Sequence, residues 1–175
     1  MEADLRYPIG KPDRPDHLTE EQRREFIQAI EETPAKLRAA VARLSEAQLD
    51  TPYRPDGWTV RQVVHHLPDS HMNALVRVKL ALTEDEPTIR PYNEARWAEL
   101  PDARGAIEPS LALLDALHQR WVYLLRSLAP GQWSKKMIHP EHGPMTLDKA
   151  LAMYSWHGRH HVAHITSLRE RNAWR

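Results

Sequence analysis

The chain has 175 residues, with 24 basic and 24 acidic side chains, 11 histidines and no cysteine. The length suits one domain, residues 1–175, that can bury a substantial core. The balanced charge argues against a surface for nucleic acid or an anionic membrane, and the lack of cysteine excludes disulfides and thiolate ligands. Any metal ion must therefore be held by histidine or carboxylate side chains.

Targeting signals are not evident in the sequence. No apolar run approaches the length of a membrane span, and residues 1–4 lack the basic and apolar regions that begin a signal peptide. We therefore expect a cytoplasmic protein that acts on a small molecule and binds neither membrane nor nucleic acid.

The N-terminal part predicts an extended lead-in followed by a helix. Residues 1–17 are rich in proline and predict no helix. Thr19 and Gln22 have the spacing of a capping box, which predicts that a helix runs over residues 20–44. Pro34 lies inside this helix and is expected to kink or split it. Apolar side chains recur near the helical period at Phe26, Ile27, Ile30, Leu37, Val41 and Leu44.

A polar connection over residues 45–55 leads to a second helix. Thr59 and Gln62 repeat the capping-box spacing, and a clear apolar face continues through residue 82. Pro68 predicts a local kink in this helix. The apolar face consists of Val60, Val63, Val64, Leu67, Leu75, Val78 and Leu82.

The second half of the chain predicts two more long helices. Residues 83–104 form a long polar connection with a short helix around residues 93–100. The third long helix is predicted over residues 109–128, and a loop or small hairpin follows over residues 132–145. The last helix is predicted from residue 146 to residue 171. Four long helices with one long crossover predict an all-α four-helix bundle.

Four histidines lie within eight residues of the last helix. His157, His161 and His164 are spaced i, i+4, i+7 and line one side, with His161 inside the apolar face and the other two at its edge. The helical wheel turns His160 toward solvent or a partner. Two imidazoles at i, i+4 can hold one metal ion. A third ligand must come from elsewhere, and the histidine-rich residues 65–71 are the evident source.

The helical wheel of the second helix favours His71 as the third ligand. It places His71 near the centre of the apolar face, His66 on the flank and His65 facing away. Asp69 could orient an imidazole or a bound water. The simpler interpretation is that these histidines are hydrogen-bonded core residues and that Asp69 is solvated.

Several motifs resemble one family along almost the whole chain. The resemblance is carried by residues 57–67, 69–73 and 156–165, together with the shorter stretches at residues 7–10, 34–37, 48–54 and 89–92. The sequence is similar to the DinB/YfiT-like superfamily and resembles its YfiT branch most closely, whose members are called metal-dependent hydrolases.

The resemblance implies a four-helix bundle, a homodimer and one divalent metal ion per chain, usually zinc, with nickel also seen. It implies the metal ligands His66, His157 and His161. The ligand from the second helix is then His66 rather than His71, which the helical wheel favours. The chain departs from the family at Pro68, where a small residue such as alanine is usual, and this affects the expected reach of His66.

Two chemistries follow from a site of three neutral histidines with an open position. YfiT-like proteins resemble bacillithiol S-transferases, so the first is transfer of a bacillithiol-like thiol to an electrophile. The second is hydrolysis by a metal-activated water, with Asp69 or His164 as the general base. A bundle that only binds metal in a stress response is the third alternative. An acidic thiol would also need a cation, for which the candidates are Arg61, Arg90 and Arg159.

Overall fold

Four long helices form the body of the molecule in the computed structural model, which describes residues 4–174. α1 packs against α5 and α6, and α3 packs against the same two helices, so α1 and α3 lie diagonally across the bundle. The predicted four-helix bundle is confirmed. The long helices are α1 Glu20–Val41, α3 Val60–Thr83, α5 Glu108–Arg126 and α6 Leu147–Arg171.

Short elements fill the connections between the long helices. The predicted hairpin is present, with strands β1 and β2 antiparallel and Met137 paired with Met145, and it leads directly into α6. A short helix, α2, lies in the polar connection over residues 45–55, where the sequence indicated no helix. The short elements are α2 Glu46–Leu49, α4 Glu94–Trp97, β1 Lys136–His139 and β2 Gly143–Thr146, together with 3₁₀ turns at Pro101–Arg104 and Pro130–Gln132.

The helices begin where their capping residues predict. The side chains of Thr19 and Thr59 accept hydrogen bonds from the backbone N–H groups of Gln22 and Gln62, and both capping boxes are complete. α1 ends at Val41, three residues before the predicted end. No helix of the described residues is long and apolar enough to cross a membrane. Residues 1–3 of the expected lead-in lie outside the described residues.

Pro34 and Pro68 both lie inside continuous helices. The prediction that Pro34 could split α1 is wrong, because α1 continues to Val41 as one helix. Pro34 has no N–H and cannot donate the α-helical hydrogen bond to the carbonyl of Ile30. That carbonyl instead lies 2.6 Å from Nδ1 of His118 on α5.

The core consists of two apolar clusters separated along the bundle by a layer of histidines. One cluster surrounds Trp121 and includes Ile27, Ile30, Leu75, Val78, Leu151 and Tyr154. The other surrounds Leu114 and includes Leu37, Val63, Leu67, Ile165 and Leu168. His71, His157 and His161 fall between these two sets along α3 and α6, and His66 and His118 contact them from the facing ends of the clusters. The histidine layer is thus held from both sides by close-packed apolar side chains.

Helix α1 is joined to the start of α6 by a buried ion pair. Asp148 is 1% exposed and accepts hydrogen bonds from the Arg23 guanidinium at 2.7 and 2.8 Å and from the Leu18 backbone at 3.1 Å. A carboxylate buried in this way needs such partners to offset its lost hydration. The lead-in lies beside the same helix, because the carbonyl of Gly10 accepts a hydrogen bond from Trp156 at 3.1 Å.

Helices α1 and α6 approach each other closely at Gly158, between His157 and His161. A β-carbon at Gly158 would lie 2.7 Å from Oγ1 and 2.9 Å from Cγ2 of Thr33. Such distances are far below van der Waals contact, so no larger residue fits without a movement of one helix. Gly158 thereby sets the separation of α1 from the helix that carries two of the histidines.

We predict that Gly158→Ala destabilises the fold by about 1–3 kcal/mol, the usual cost of overpacking, despite the helix propensity of alanine. Thr33→Ala removes both clashing atoms, so the double variant should recover most of the loss. Gly131→Ala is the matched control, because nothing lies within 4 Å of a β-carbon there. Urea denaturation measures the free energy of unfolding of the wild type, Gly158→Ala, the double variant and Gly131→Ala. A Gly158→Ala protein as stable as wild type would contradict the close approach.

Candidate metal centre

The structure brings His66, His157 and His161 together at the middle of the bundle. α3 supplies His66, and α6 supplies the other two from successive turns of one face. Nε2 of His66 lies 3.2 Å from Nε2 of His157. One ring nitrogen from each of the three residues lies within 4.8 Å of the other two. These are the residues that the family resemblance implied as ligands.

The chemistry of this group fits a divalent metal ion. Tetrahedral nitrogen ligands at 2.0–2.1 Å from zinc lie about 3.3 Å from each other, close to the 3.2 Å between the two Nε2 atoms. Nδ1 of His161 is buried and has no hydrogen-bond partner among the described residues. An all-imidazole set suits zinc or nickel, and the residues present therefore fit the group that the family implies.

Burial keeps these imidazoles neutral and able to donate a lone pair. Burial lowers the pKa of His66 to about 4. Burial, followed by the neighbouring histidines, lowers the pKa values of His157 and His161 well below the ordinary histidine range. A neutral ring is the form that binds metal. The site is thus prepared for a cation at neutral pH.

His71, which the helical wheel favoured, lies behind the three histidines and does not belong to their group. It is fully buried, and its Nε2 lies 3.0 Å from Nδ1 of His157. Its Nδ1 lies 2.7 Å from Nε2 of His118. The wheel was right that His71 faces the interior, but the interior position places it against the back of His157.

His160 and His164 are both packed against aromatic side chains. The prediction that His160 faces outward is wrong, because it is 7% exposed and stacks on Trp156 with ring centroids 4.1 Å apart. His164 stacks on Tyr53 at 3.9 Å, and its Nε2 donates to the carbonyl of Arg6 at 3.2 Å. His160, His161 and His164 also have ring nitrogens within 4.8 Å of one another. His161 belongs to both groups, whereas His160 and His164 lie under the lead-in and do not line the cleft that opens onto the first group.

A cleft of about 470 Å³ opens onto the three histidines. It is bounded by the lead-in, the start of α4, the hairpin and the facing sides of α3 and α6. Aromatic and charged side chains dominate its wall. The cleft is lined by His66, His157 and His161 with Arg14, Trp58, Ser70, Arg77, Tyr92, Glu94, Ala95, His139, His142, Met145, Met153, Tyr154 and Trp156.

Neither Asp69 nor His164, our two candidates for a general base, is among the residues that line this cleft. The carboxyl of Asp69 is half-buried, and burial together with the nearby Asp102 raises its pKa to about 6. Its backbone carbonyl accepts a hydrogen bond from Asn73. The Asp69 carboxyl is therefore absent from the cleft wall, and no hydrogen bond joins it to the three histidines in the described part of the chain.

The arginine side chains that line the cleft are not those that the sequence indicated. The expected candidates Arg61, Arg90 and Arg159 do not line it, and Arg61 is held by Asp50 at 2.7 Å and by Glu46 at 2.5 Å. Arg14 and Arg77 line the cleft instead. Arg77 donates to the hydroxyl of Tyr154 at 3.1 Å and to a backbone carbonyl at 2.9 Å. No local sequence pattern marks these two arginines, because they approach the site from separate segments.

Comparison with known proteins places this architecture in one family. A family model described as the DinB superfamily matches residues 29–165. A protein of Bacillus mycoides (strain KBAB4), named "Putative metal-dependent hydrolase", is 56% identical over 171 residues, which cover 98% of this chain and 99% of the relative. A protein of Bacillus cereus (strain B4264) with the same kind of name has the same identity and coverage.

A solved structure is also similar over nearly its whole length. YfiT from Bacillus subtilis is 51% identical in sequence and superposes with a TM-score of 0.96, covering 98% of this chain and 99% of that chain. It is described as a "probable metal-dependent hydrolase with an unusual four-helix bundle topology". The agreement extends over all four long helices, three of which carry the histidine layer.

We predict about one divalent ion per chain, lost in each of His66→Ala, His157→Ala and His161→Ala, because two imidazoles rarely hold a divalent ion tightly. Tyr92→Phe is the matched control, since Tyr92 lines the same cleft but belongs to no candidate metal-binding group. Elemental analysis of untagged protein after zinc loading and desalting measures the content. Metal retained in His66→Ala and lost in His71→Ala would overturn the assignment in favour of the helical wheel.

The buried histidines also predict acid lability of the metal-free protein. An unfolded histidine binds a proton near pH 6.5, whereas burial lowers the pKa of folded His66 and His118 to about 4. Between these values the unfolded state binds more protons. The free energy of unfolding should therefore fall as the pH drops from about 6.5 to about 4, by about 1.4 kcal/mol per pH unit for each ring.

Urea denaturation at pH 7.5, 6 and 5 with a chelator present tests this dependence. His66→Gln should reduce the loss of stability at low pH, because it removes one buried titrating ring. Met72→Gln alters an exposed side chain of α3 that does not titrate and should leave the pH dependence unchanged. Equal stability of the wild type at pH 7.5 and pH 5 would contradict the burial of neutral rings.

Proposed function

This chain belongs to the DinB superfamily, and we propose that it is an enzyme in which His66, His157 and His161 hold one divalent metal ion that activates a small nucleophile. The observation that carries the proposal is the convergence of three neutral imidazoles on the wall of an open cleft. Three protein ligands and an open position are typical of catalytic rather than structural metal sites.

The residues of the cleft suit this chemistry. When bound, such an ion supplies Lewis acidity that lowers the pKa of a thiol or of water. Trp58 packs against His66 with ring centroids 4.7 Å apart and excludes water from that side of the ring. Burial raises the pKa of Tyr154, so its hydroxyl stays protonated. It accepts a hydrogen bond from Arg77 and can donate its own proton to a bound substrate.

We favour transfer of an acidic low-molecular-weight thiol, such as bacillithiol, to an electrophile. The sulfur forms a bond to an electrophilic carbon, the leaving group departs with its electron pair, and the thiol proton passes to solvent. Two arginines against one glutamate line the cleft. Arg77 keeps N–H donors free after its two hydrogen bonds, so it can bind a carboxylate of the thiol.

Hydrolysis of a small substrate is the second candidate, and the names of the Bacillus relatives support it. The attack of water needs an acceptor for one proton. Glu94 is the carboxylate that lines the cleft, and we assign it this role in the hydrolytic alternative. Zinc is the ion we propose for either reaction, with nickel as the alternative. The homodimer and the cytoplasmic location stay predictions.

The two reactions are separated by assaying the zinc-loaded protein with a chromogenic electrophile, with and without thiol, and with a chromogenic ester in the absence of thiol. We expect turnover of the electrophile that depends on the thiol and is lost in His157→Ala. Ester hydrolysis without thiol would favour the second candidate. Tight zinc binding with neither activity would leave a protein that only binds metal and would overturn the enzyme proposal.

The arginines give a sharper prediction for thiol transfer. Arg77→Ala should raise KM for bacillithiol by about tenfold, because a hydrogen bond to a charged group contributes about 1.5–3 kcal/mol. It should affect a neutral thiol such as 2-mercaptoethanol much less. Arg96→Ala changes an exposed arginine on α4 that does not line the cleft, and it serves as the control. Equal effects of Arg77→Ala on both thiols would contradict the role.

A further inference from the structure

Three imidazoles form one line from the cleft to the opposite side of the bundle. Nδ1 of His157 lies 3.0 Å from Nε2 of His71. Nδ1 of His71 lies 2.7 Å from Nε2 of His118. Nδ1 of His118 lies 2.6 Å from the carbonyl oxygen of Ile30 on α1. The line thus joins α6, α3, α5 and α1 through hydrogen-bond contacts.

The direction of every hydrogen bond in this line follows from its last member. The carbonyl of Ile30 can only accept, so Nδ1 of His118 must carry the proton. A neutral imidazole has one donor and one acceptor, so Nε2 of His118 accepts from Nδ1 of His71. By the same reasoning, Nε2 of His71 accepts from Nδ1 of His157. The lone pair of His157 is then at Nε2, the atom 3.2 Å from Nε2 of His66.

The rings are neutral and firmly packed, as the argument requires. Burial lowers the pKa of His118 to about 4, and burial together with neighbouring histidines lowers the pKa of His71 well below its ordinary range. The rings of His71 and His118 are stacked at 4.9 Å, and Trp121 packs edge-on against both. His71, His118 and Trp121 are each at most 1% exposed.

Pro34 explains why the carbonyl of Ile30 is available to His118. In a regular α-helix the N–H of residue 34 would donate to the carbonyl of residue 30. Proline has no N–H, so this carbonyl lacks its usual helical donor. A buried carbonyl needs a donor, and His118 provides one from α5.

We propose that His71 and His118 are positioning residues which, anchored on the carbonyl of Ile30, hold His157 in the Nδ1–H tautomer with its Nε2 lone pair aimed at the metal position. The consequence for metal binding rests on the proposed function. The tautomer is a property of the metal-free protein, so the two can fail independently. Orientation of a ligand imidazole through its second nitrogen is a general way in which proteins tune metal sites.

The first test is ¹⁵N NMR of the imidazole side chains in metal-free protein at pH 7.5. The chemical shifts and two-bond couplings distinguish a protonated Nδ1 from a protonated Nε2, and single His→Gln variants assign the signals. We expect protonated Nδ1 in His71, His118 and His157. A protonated Nε2 in His71 or His118 would overturn the proposal, whether or not the protein binds metal.

The second test measures zinc affinity by chelator competition. In His118→Leu, His71 loses its acceptor and is free to reverse its tautomer, so zinc should bind roughly 10- to 100-fold more weakly. His118→Gln keeps an acceptor for His71 and should stay close to wild type. Trp121→Phe alters the packing of the same rings without changing the line of hydrogen bonds, and it is the control for a merely structural effect.

The outcomes separate this inference from the proposed metal centre. Unchanged affinity in His118→Leu, or an equal loss in Trp121→Phe, would overturn the positioning role. No zinc binding by the wild type would overturn the metal centre and with it the role of His71 and His118 toward a metal. Should His118→Leu fail to fold, the NMR measurement on the wild type and the comparison of His118→Gln with Trp121→Phe still decide the question.

Discussion

The hydrogen bond between Nδ1 of His118 and the carbonyl of Ile30 is the contact on which the order of the histidine layer depends. A buried imidazole can satisfy its single N–H in either of two directions, and a neighbouring imidazole does not decide between them. A carbonyl does decide, because it has no proton to give. Pro34 makes this carbonyl available inside a helix where it would otherwise be used.

The two apolar clusters hold this layer in place. Cores packed at crystal-like density transmit small displacements, so the positions of His66 and His157 follow from the packing on both sides of them. Gly158 on α6 also fixes the position of the layer, because its missing β-carbon lets Thr33 of α1 approach. The separation of the helices, the orientation of the imidazoles and the arrangement of their nitrogens therefore all depend on the same packing.

The connections between the helices turn this buried layer into an accessible site. The lead-in contributes Arg14, the hairpin contributes His139 and His142, and the region of α4 contributes Tyr92 and Glu94. The hairpin also packs Met137 and Met145 into the core, so it holds its two histidines at a fixed place beside the cleft. The placement of these segments around one cleft indicates that they serve the substrate, as loops on a rigid scaffold usually do. Specificity can then vary in the loops while the helices preserve the histidines.

The sequence alone determined the features that depend on local spacing. Capping boxes at Thr19 and Thr59 and apolar periodicity located the four long helices, and the i, i+4 spacing placed His157 and His161 on one face. These patterns are readable because helix geometry repeats every few residues. The resemblance to a known family, rather than the helical wheel, selected His66 over His71.

Tertiary structure decided every feature that depends on contacts between distant segments. It placed His71 behind His157, buried His160 against Trp156, and left Asp69 out of the cleft wall. It also brought Arg14 and Arg77 to the site from segments 63 residues apart in the chain. A helical wheel shows which way a side chain points but not what meets it there, since that depends on how the helices pack against one another.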